Sequence, residues 1–554
     1  MLGLTYGLPA IYNPDETPIL NRALTFAKGD PNPHNFVYPT LYFYALFVWE
    51  GLFFVAGWLV GAFDSLATFQ REFFIDPSRH FLAGRVFSVL CGSATVAGVY
   101  WLGRRLYDHA TGLAAAAFLA VAPIAVRDAH YVKLDVPTTM AVVFALVALA
   151  RIVVDPEAAS RRRTWLFAGL LSGLAVSTQY YAVFLGFSMI AAAAADLQRS
   201  GNWRTTTTLF LWACAGASLG FFIGTPFLLV DFGKALADIA HVREVDIDRA
   251  IVKGGPFVAA LEYVKILLLD AVGWPVWIAS MVGAVWAVLA DWRRGLLLVS
   301  FFVPFFAFIA NTVPMSRYLN VVLPIVALSA AFAAVRLARV AGPAARVVAP
   351  ALVALMMLPG LVASIRTDLF IRQTDTRTLA REFIEAHVPP GETLLIQPFS
   401  APVRNSRQSL VDALRTNLGS ESRASTKFQL TMALDPYPAP AYRLIYLGDD
   451  DGLDVDKIFV SPARFEEENG LAPLRRHGVD YVVLKQTNVS NPTLQALETA
   501  LAREARRIAE FTPYRSEVGD LERSVVPPFL HNTAARIHPA LERPGPTIEI
   551  WALR

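Results

Sequence analysis

The chain is poor in charge and has almost no cysteine. Only 17% of its 554 residues are Asp, Glu, Lys or Arg, whereas soluble globular proteins carry about 25%. Its two cysteines, Cys91 and Cys214, both lie inside apolar runs, so they indicate neither a disulfide framework nor a cysteine-based metal site. The first twelve residues lack a basic start and are too short to span a membrane, so we expect no cleavable signal peptide.

Long apolar runs fill most of the first two thirds of the chain. A helix of about 20 apolar residues crosses a bilayer, and the runs are continuous rather than alternating, which excludes a membrane β-barrel. The sequence therefore predicts an α-helical polytopic membrane protein. We expect spans at 80–103, 111–126, 137–154, 164–180, 181–197, 206–230, 274–291, 295–311, 318–335 and 347–364.

Short clusters of arginine between these spans predict their orientation. They are Arg104 and Arg105; Arg161, Arg162 and Arg163; Arg199 and Arg204; Arg293 and Arg294; and Arg336, Arg339 and Arg346. Because cationic loops stay on the cytoplasmic side, every second loop is expected outside. The apolar run 39–62 would break this alternation if it spanned, so we interpret it as a re-entrant or juxtamembrane segment.

The pattern changes after the last span. An amphipathic stretch near 372–387 predicts a helix, and a Pro-Pro-Gly turn and a strand follow it. The segments "GVDYVVLK" and "PTIEIWAL" read as further strands, and 491–511 reads as a helix that Asn491 caps. We therefore predict two domains, a transmembrane domain over 1–364 and a soluble α/β domain over 365–554 on the outer face.

Ionisable residues gather in the loops expected outside. Asp15 and Glu16 lie side by side in "YGLPAIYNPDETPIL", where the simplest interpretation is a turn with Asp15 as a helix cap. Ionisable groups at a membrane boundary are costly unless they are paired or functional. The other members of this set are Asp30 and His34; Arg127, Asp128, His130, Lys133 and Asp135; and Arg317 and Tyr318. Such a mixture suits a site for an anionic headgroup and a hydroxyl that loses its proton.

The order of several short stretches resembles the membrane-embedded glycosyltransferases of the GT-C fold. The resemblance is strongest to the bacterial branch related to protein O-mannosyltransferases and aminoarabinose–lipid A transferases. The matching stretches are "YGLPAIYNPDET", "GDPNP", "YPTLYFY", "YVKLDVPTT", "SRYLNVVLP" and "RQTDTRTLAREFI". They run in order from residue 6 to about residue 384, and the region after about residue 390 matches only in kind.

The resemblance implies a function and roles for several residues. Family members transfer a sugar from a polyprenyl-phosphate carrier to an acceptor hydroxyl on the outer face of the inner membrane. In that scheme Asp15, the first acid of the pair, is the catalytic base, and Glu16, the second acid, is also expected to be catalytic. Asp135 supports the acceptor or orients the site, and Arg317 of the Arg317–Tyr318 pair lies by the lipid phosphate. The acceptor is a lipid, a glycan or a protein, and no nucleic acid is involved.

This chain departs from the family in three places. Val37 and Tyr38 stand where relatives often have a lysine, and Gln179 replaces a mid-bundle lysine that precedes a tyrosine. Phosphate neutralisation is therefore expected from other cations, namely Arg85, Arg127, Lys133 or Arg317. Family members also have a span before the "YGLP" step, so a span upstream of Met1 is implied.

The same residues also bear on other functional classes. His34 and the nearby acids form no recognised metal-binding spacing, so we expect no metal or other cofactor. A transporter or flippase of an anionic lipid-linked substrate is the main alternative, but it predicts ionisable groups near the bilayer midplane and internal repeats. The third alternative is an envelope scaffold whose outer domain binds a partner.

Overall fold

The chain folds into a helical bundle that is followed by an α/β domain. The computed structural model describes residues 3–252, 254–450, 452, 454–468, 470–486, 494–530 and 537–553. Three helices precede the bundle. They are α1 (Glu16–Thr25), α2 (Leu41–Leu59) and α3 (Leu66–Ile75).

The bundle confirms the predicted helical class, and each predicted span overlaps one or two of its helices. Its helices are α4 (Ser78–Leu106), α5 (His109–Ala120), α6 (Pro123–Asp128), α7 (Asp135–Val154), α8 (Pro156–Ala159), α9 (Arg162–Val176), α10 (Leu185–Ser200), α11 (Trp203–Gly224), α12 (Phe232–Val252), α13 (Gly255–Ile266), α14 (Trp274–Ala290), α15 (Trp292–Ile309), α16 (Leu323–Ala338) and α17 (Ala345–Ile371). Among the described residues, 7 helical segments are long and apolar enough to cross a membrane. The helices α5 and α14 are apolar but shorter.

Helices α9 and α11 approach each other so closely that only glycine fits at their contact. A Cβ atom on Gly169 or Gly173 would lie 1.9 Å from a carbonyl oxygen of α11. A Cβ atom on Gly216 would lie 2.1 Å, and one on Gly220 2.2 Å, from a carbonyl oxygen of α9. Both helices therefore carry a GxxxG pattern, which is typical of close helix packing in membranes. The contact fixes the end of α9, which leads into the turn that carries Gln179.

The apolar run 39–62 forms α2, which packs against α1 and the first turns of α4. The Trp49 indole donates a hydrogen bond of 2.8 Å to the Ala83 carbonyl, and Glu50 lies 3.4 Å from His80. Helix α3 folds back on α2, and the Phe63 and Phe69 rings lie 4.9 Å apart between them. Length and composition alone would let α2 cross a membrane. Its contacts are those of a pair of helices beside the start of α4, so the juxtamembrane interpretation stays a prediction.

The arginine clusters gather at one end of the bundle. Arg339 donates to Asp108, just after α4, at 2.6 Å, and Arg199 donates to the Ile152 carbonyl in the last turn of α7 at 3.3 Å. The opening segment, the loop 129–134, the segment 310–317 and the α/β domain lie at the other end. This arrangement matches the alternation of loops that the arginine clusters predict.

The C-terminal domain is built on one mixed sheet of the described strands. Its elements are α18 (Thr376–His387), β1 (Thr393–Ile396), α19 (Arg407–Leu418), α20 (Thr426–Met432), β2 (Arg443–Leu447), β3 (Phe459–Val460), α21 (Ala463–Glu467), α22 (Ala472–Arg476), β4 (Tyr481–Gln486), α23 (Gln495–Glu504), β5 (Arg506–Phe511), α24 (Asp520–Val525) and β6 (Thr547–Ala552). The strand order is β3-β2-β1-β4-β6-β5, with β1 to β4 parallel and β6 antiparallel to both of its neighbours.

Alternation along the central strands fills both faces of this sheet. Leu395 and Val482 pack into one core, whereas Leu394 and Val483 pack into the other, on the side of α18. Successive side chains of a strand point to opposite faces, so both faces are covered. The α/β class and the strands predicted from "TLLIQ", "GVDYVVLK" and "PTIEIWAL" are confirmed.

The helix predicted over 491–511 is wrong in its second half. The helix α23 ends at Glu504, and Arg506–Phe511 forms β5, which pairs antiparallel with β6. Residues rich in Arg, Ala and Glu favour a helix locally, but pairing with a neighbouring strand decides strand formation. The predicted cap, Asn491 and Pro492, lies outside the described residues.

The start of α18 fastens the opening segment to the α/β domain. The Tyr6 hydroxyl donates to the Asp375 carboxylate at 3.0 Å, and the Tyr12 and Thr378 hydroxyls lie 2.7 Å apart. The buried Arg377 guanidinium donates twice to Asp375, at 2.8 and 2.7 Å, and lies 3.8 Å from the centre of the Tyr12 ring. Thus two of the stretches that carry the family resemblance, "YGLPAIY" and "RQTDTRTLAREFI", contact each other.

We expect the substitution Gly545→Ala to loosen this junction. A Cβ atom there would lie 2.1 Å from the Thr376 hydroxyl and 2.5 Å from Asp375, and Gly545 has a φ of +102°. Such overpacking costs about 1–3 kcal/mol, in addition to the strain of a positive φ. The matched control is Gly391→Ala, which has a similar φ of +92° but no heavy atom within 4 Å. Thermal unfolding should show the larger loss for Gly545→Ala, and equal losses would contradict the crowding.

Candidate active site

A cavity of about 340 Å³ opens where the opening segment meets the bundle. Its wall comes from the start of α1, the loops before α7, after α9 and before α16, and the end of α15. Six of the residues predicted for the site line it together, although they are far apart in the sequence. They are Asp15, Lys133, Asp135, Gln179, Arg317 and Tyr318.

Asp15 lies immediately before α1 and faces two cations. Its Oδ2 lies 3.1 Å from the Lys133 ammonium and accepts a hydrogen bond from the Arg317 guanidinium. Asp15 occupies the N-cap position of α1, but its side chain makes no capping hydrogen bond, so the simple turn interpretation does not account for it. Burial alone raises the pKa of the Asp15 carboxyl, but the charges of Lys133 and Arg317 outweigh this effect and hold the pKa below its ordinary value.

Lys133 and Asp135 come from the loop that leads into α7. The Lys133 side chain is 1% exposed and the Asp15 side chain is 33% exposed. The lysine is therefore buried, whereas the carboxylate is accessible from the cavity. Asp135 is the first residue of α7 and is buried. Two acids and two cations therefore share one small space. The charges balance, and Asp15 is the acid that a ligand reaches most easily.

Glu16 and Arg85 do not face the cavity, contrary to the roles expected for them. The Arg85 guanidinium donates to both Glu16 oxygens, at 2.9 and 2.8 Å, and the Val132 backbone N–H donates to Glu16 at 2.9 Å. Arg85 also donates to the carbonyls of Leu4 and Tyr6 at 2.6 and 2.8 Å. Both side chains are fully buried, so the pair holds the opening segment against α4 and leaves no surface for a substrate.

Arg127 is likewise committed to structure rather than to phosphate. It is fully buried, and it donates to Asp128 at 2.9 Å and to the Ser316 hydroxyl at 3.0 Å. Asp128 in turn accepts from the Asn320 amide at 2.6 Å, and Asn320 also donates to the Arg317 carbonyl at 3.0 Å. This network ties α6 to the 3-10 turn Ser316–Val322 and so fixes the backbone that carries Arg317. The supporting roles of Ser316 and Asn320 had no signal in the sequence.

The rest of the cavity wall is mostly apolar, with both aromatic and aliphatic side chains, and it includes one amide. The Gln179 side chain lines it, and its carbonyl oxygen is buried with no hydrogen-bond partner among the described residues. Tyr38, Tyr181 and Phe308 contribute rings, and of these the sequence points only to Tyr38, as a position where relatives often have a lysine. The wall is therefore polar around Asp15 and apolar toward α15, as a ligand with a charged head and an apolar chain requires.

His34 lies outside the cavity. Its imidazole Nε2 lies 2.9 Å from Asp30 and its Nδ1 3.3 Å from Asp231, and the side chain is 61% exposed. The hydrogen bond with Asp30 raises the pKa of His34. His34 thus pairs the opening segment with the start of α12 and does not contribute to the cavity. Within the described ranges, no group of three or more His, Cys, Asp or Glu side chains is arranged to hold a metal ion.

The family model for dolichyl-phosphate-mannose-protein mannosyltransferase matches residues 69–228. This match confirms the family resemblance over that stretch, which includes Lys133, Asp135 and Gln179. It leaves Asp15 and Arg317 outside its range. No curated protein sequence matches the chain.

Several solved structures are similar to the chain at low sequence identity. ArnT from Cupriavidus metallidurans bound to undecaprenyl phosphate is 13% identical, with 99% of this chain and 95% of that chain covered and a TM-score of 0.49. The oligosaccharyltransferase of Archaeoglobus fulgidus with zinc and sulfate is 13% identical, with 87% and 63% covered and a TM-score of 0.45. The arabinofuranosyltransferase AftD from mycobacteria is 15% identical, with 100% and 40% covered and a TM-score of 0.41. These values do not establish which residues correspond.

We expect the substitution Arg85→Ala to destabilise the protein strongly. It leaves the Glu16 carboxylate buried without its cation, which typically costs about 3–5 kcal/mol. The control is Arg415→Ala, because the Arg415–Glu421 pair is also bidentate but solvent-exposed, and exposed pairs contribute little to stability. Thermal unfolding of the two variants in detergent measures the difference. Similar midpoints for both variants would mean that the Glu16 pair does not hold the opening segment.

Proposed function

We propose that this protein is a membrane glycosyltransferase that transfers a sugar from a polyprenyl-phosphate carrier to an acceptor hydroxyl. The observation that carries the proposal is the placement of one reachable carboxylate, Asp15, between Lys133 and Arg317 in a cavity that is polar at one side and apolar at the other. The match to the family model supports the transferase class. The helices that are long and apolar enough to span support a membrane location.

The cations suit the donor. In the proposal, the phosphate of the carrier binds Lys133 and Arg317, and Arg317 offers the planar fork that recognises phosphate oxygens. The prenyl chain extends along the aromatic wall near Tyr181 and Phe308. As the bond from the anomeric carbon to the phosphate oxygen breaks, the electron pair leaves with the phosphate, and the two cations stabilise its charge.

The carboxylate suits the acceptor. The acceptor hydroxyl attacks the anomeric carbon while its proton passes to Asp15, which contributes roughly 10²–10⁴-fold in rate. One displacement forms the new bond to the acceptor oxygen and inverts the anomeric configuration. An aspartate of ordinary pKa is already ionised at neutral pH, and the two cations lower the pKa of Asp15 further. When a phosphate engages those cations, their hold on Asp15 weakens and its pKa rises, so donor binding strengthens the base.

The supporting residues have distinct parts in this scheme. Asp135 is buried and lines the same cavity as Lys133 and Arg317, and in the proposal its charge helps to hold these cations when Asp15 accepts the proton. The Gln179 amide faces the cavity, where it can form a hydrogen bond with a sugar hydroxyl or a phosphate oxygen. Tyr318 flanks Arg317, whose guanidinium carbon lies 5.6 Å from the centre of the Tyr318 ring.

The arrangement of charge along the bundle supports an orientation in the inner membrane. The arginine clusters lie at the end opposite the cavity, and such clusters remain cytoplasmic. We therefore place the cavity and the α/β domain on the outer face. A transporter concentrates ionisable groups near the middle of the bundle, whereas here the cavity groups lie at one end of the helices, before α7 and α16.

The substitution Asp15→Asn is expected to lower sugar transfer by roughly 10²–10⁴-fold, because the amide cannot accept the proton. The matched control is Asp30→Asn, since Asp30 lies in the same opening segment but pairs with the exposed His34. Transfer from a radiolabelled polyprenyl-phosphate sugar to envelope extract measures both variants, and thermal unfolding checks that both fold. Wild-type transfer by Asp15→Asn would exclude Asp15 as the base.

The substitution Arg317→Ala is expected to weaken binding of undecaprenyl phosphate at least about tenfold, since a charge-assisted hydrogen bond contributes about 1.5–3 kcal/mol. Binding of undecaprenol, which has no phosphate, should hardly change. The control is Arg372→Ala, an exposed arginine that does not line the cavity. Equal losses for the phosphate and the alcohol would show that Arg317 acts on the fold and not on the headgroup.

A further inference from the structure

A second cavity, of about 330 Å³, lies between α1, α3 and the α/β domain. Two hydrogen bonds join α3 to that domain beside it. Arg404 donates to the Ile75 carbonyl at 2.9 Å, and Arg71 donates to the Asp435 carbonyl at 2.5 Å. Helix α3 and the α/β domain are therefore joined by defined contacts beside the cavity.

Aromatic rings, polar side chains and a few aliphatic side chains line this second cavity. Its rings are Phe73, Phe74, Phe81, Phe428, Tyr437 and Tyr446. Its polar side chains are Thr17, Asn21, Arg404, Asn405, Lys427, Thr431 and Asp456. The Asn405 amide oxygen is buried with no hydrogen-bond partner among the described residues, and the structure shows no hydrogen bond from the Asn21 side chain to them.

This combination of side chains is suited to a carbohydrate. The C–H face of a sugar ring packs on aromatic faces, and its hydroxyls both donate to and accept from amides such as Asn21 and Asn405. Arg404 and Lys427 add positive charge, and Asp456 contributes one acid. A purely apolar ligand would leave the amides unpaired, which is costly in a buried site.

Helix α1 separates the two cavities. Asp15, Pro18 and Ile19 line the first cavity, whereas Thr17 and Asn21 line the second. A helix with its side chains is about 10 Å across. A ligand held in the second cavity must therefore extend beyond one sugar ring to bring a hydroxyl to Asp15.

We propose that the second cavity binds the acceptor as an oligosaccharide and positions its reacting end at Asp15. This inference rests on the proposed glycosyltransferase function, and it specifies the acceptor as a glycan or a glycan-bearing molecule of at least two sugar units. The α/β domain then selects the acceptor, while the bundle binds the donor.

Binding of oligosaccharides to the full-length protein in detergent tests this proposal. The probes are an array of mono- to hexasaccharides with free hydroxyls, and a library of unmodified peptides printed beside it. We expect wild-type protein to bind a subset of saccharides of two or more units. The substitutions Phe74→Ala and Asn21→Ala should each weaken that binding at least about tenfold, which corresponds to about 1.4 kcal/mol.

The controls separate this inference from the function on which it rests. Phe399→Ala removes an exposed ring of the same domain that does not line the cavity, and it should bind saccharides as wild type does. Asp15→Asn should lose transfer but keep saccharide binding. Two variants are used because a folding defect in one, detected by thermal unfolding, leaves the other informative. Absence of saccharide binding, binding of peptides only, or unchanged binding in both cavity variants would overturn the proposal, whatever the transfer assay shows.

Discussion

The buried ion pair between Glu16 and Arg85 is the interaction on which the placement of the site depends. It joins the opening segment to α4, and the Val132 backbone N–H brings the loop before α7 to the same carboxylate. Removing two charges from water is costly unless the geometry and the additional hydrogen bonds compensate. Here every Glu16 oxygen has a donor. The neighbouring Asp15 is thereby turned in the opposite direction, toward Lys133 and Arg317.

The side chains of Asp15 and Glu16 therefore point in different directions and have different roles. Adjacent residues at the start of a helix project on different sides, so one carboxylate anchors the segment while the other remains reachable. A second anchor, the Arg377–Asp375 pair with Tyr6 and Tyr12, holds the same segment from the α/β domain. The reachable acid is thus carried by a segment that is fixed to both domains.

The fold class and most of the bundle could be predicted because apolar length and arginine placement are local properties of the sequence. Asp15, Lys133, Asp135, Arg317 and Tyr318 could be found because each lies at a boundary between an apolar run and a polar loop, whereas Gln179 is found only because relatives have a lysine at its place. Glu16 is expected in catalysis and Arg85 and Arg127 at the phosphate, because a sequence does not show which charged residues pair with one another in the fold. The strand β5 was missed for a related reason, since its partner β6 follows about 40 residues later in the chain.

The separation of the two cavities by α1 has a kinetic consequence. In the proposed scheme, a donor on one side of the helix does not block the entrance for an acceptor on the other side, so the two substrates can load in either order and meet at the N-terminal end of α1. A saturating concentration of the donor would then not inhibit the acceptor competitively, and the Michaelis constant of the acceptor would stay finite. In this scheme α1 lies between the two bound substrates, and the sugar passes from one to the other at the first turn of the helix.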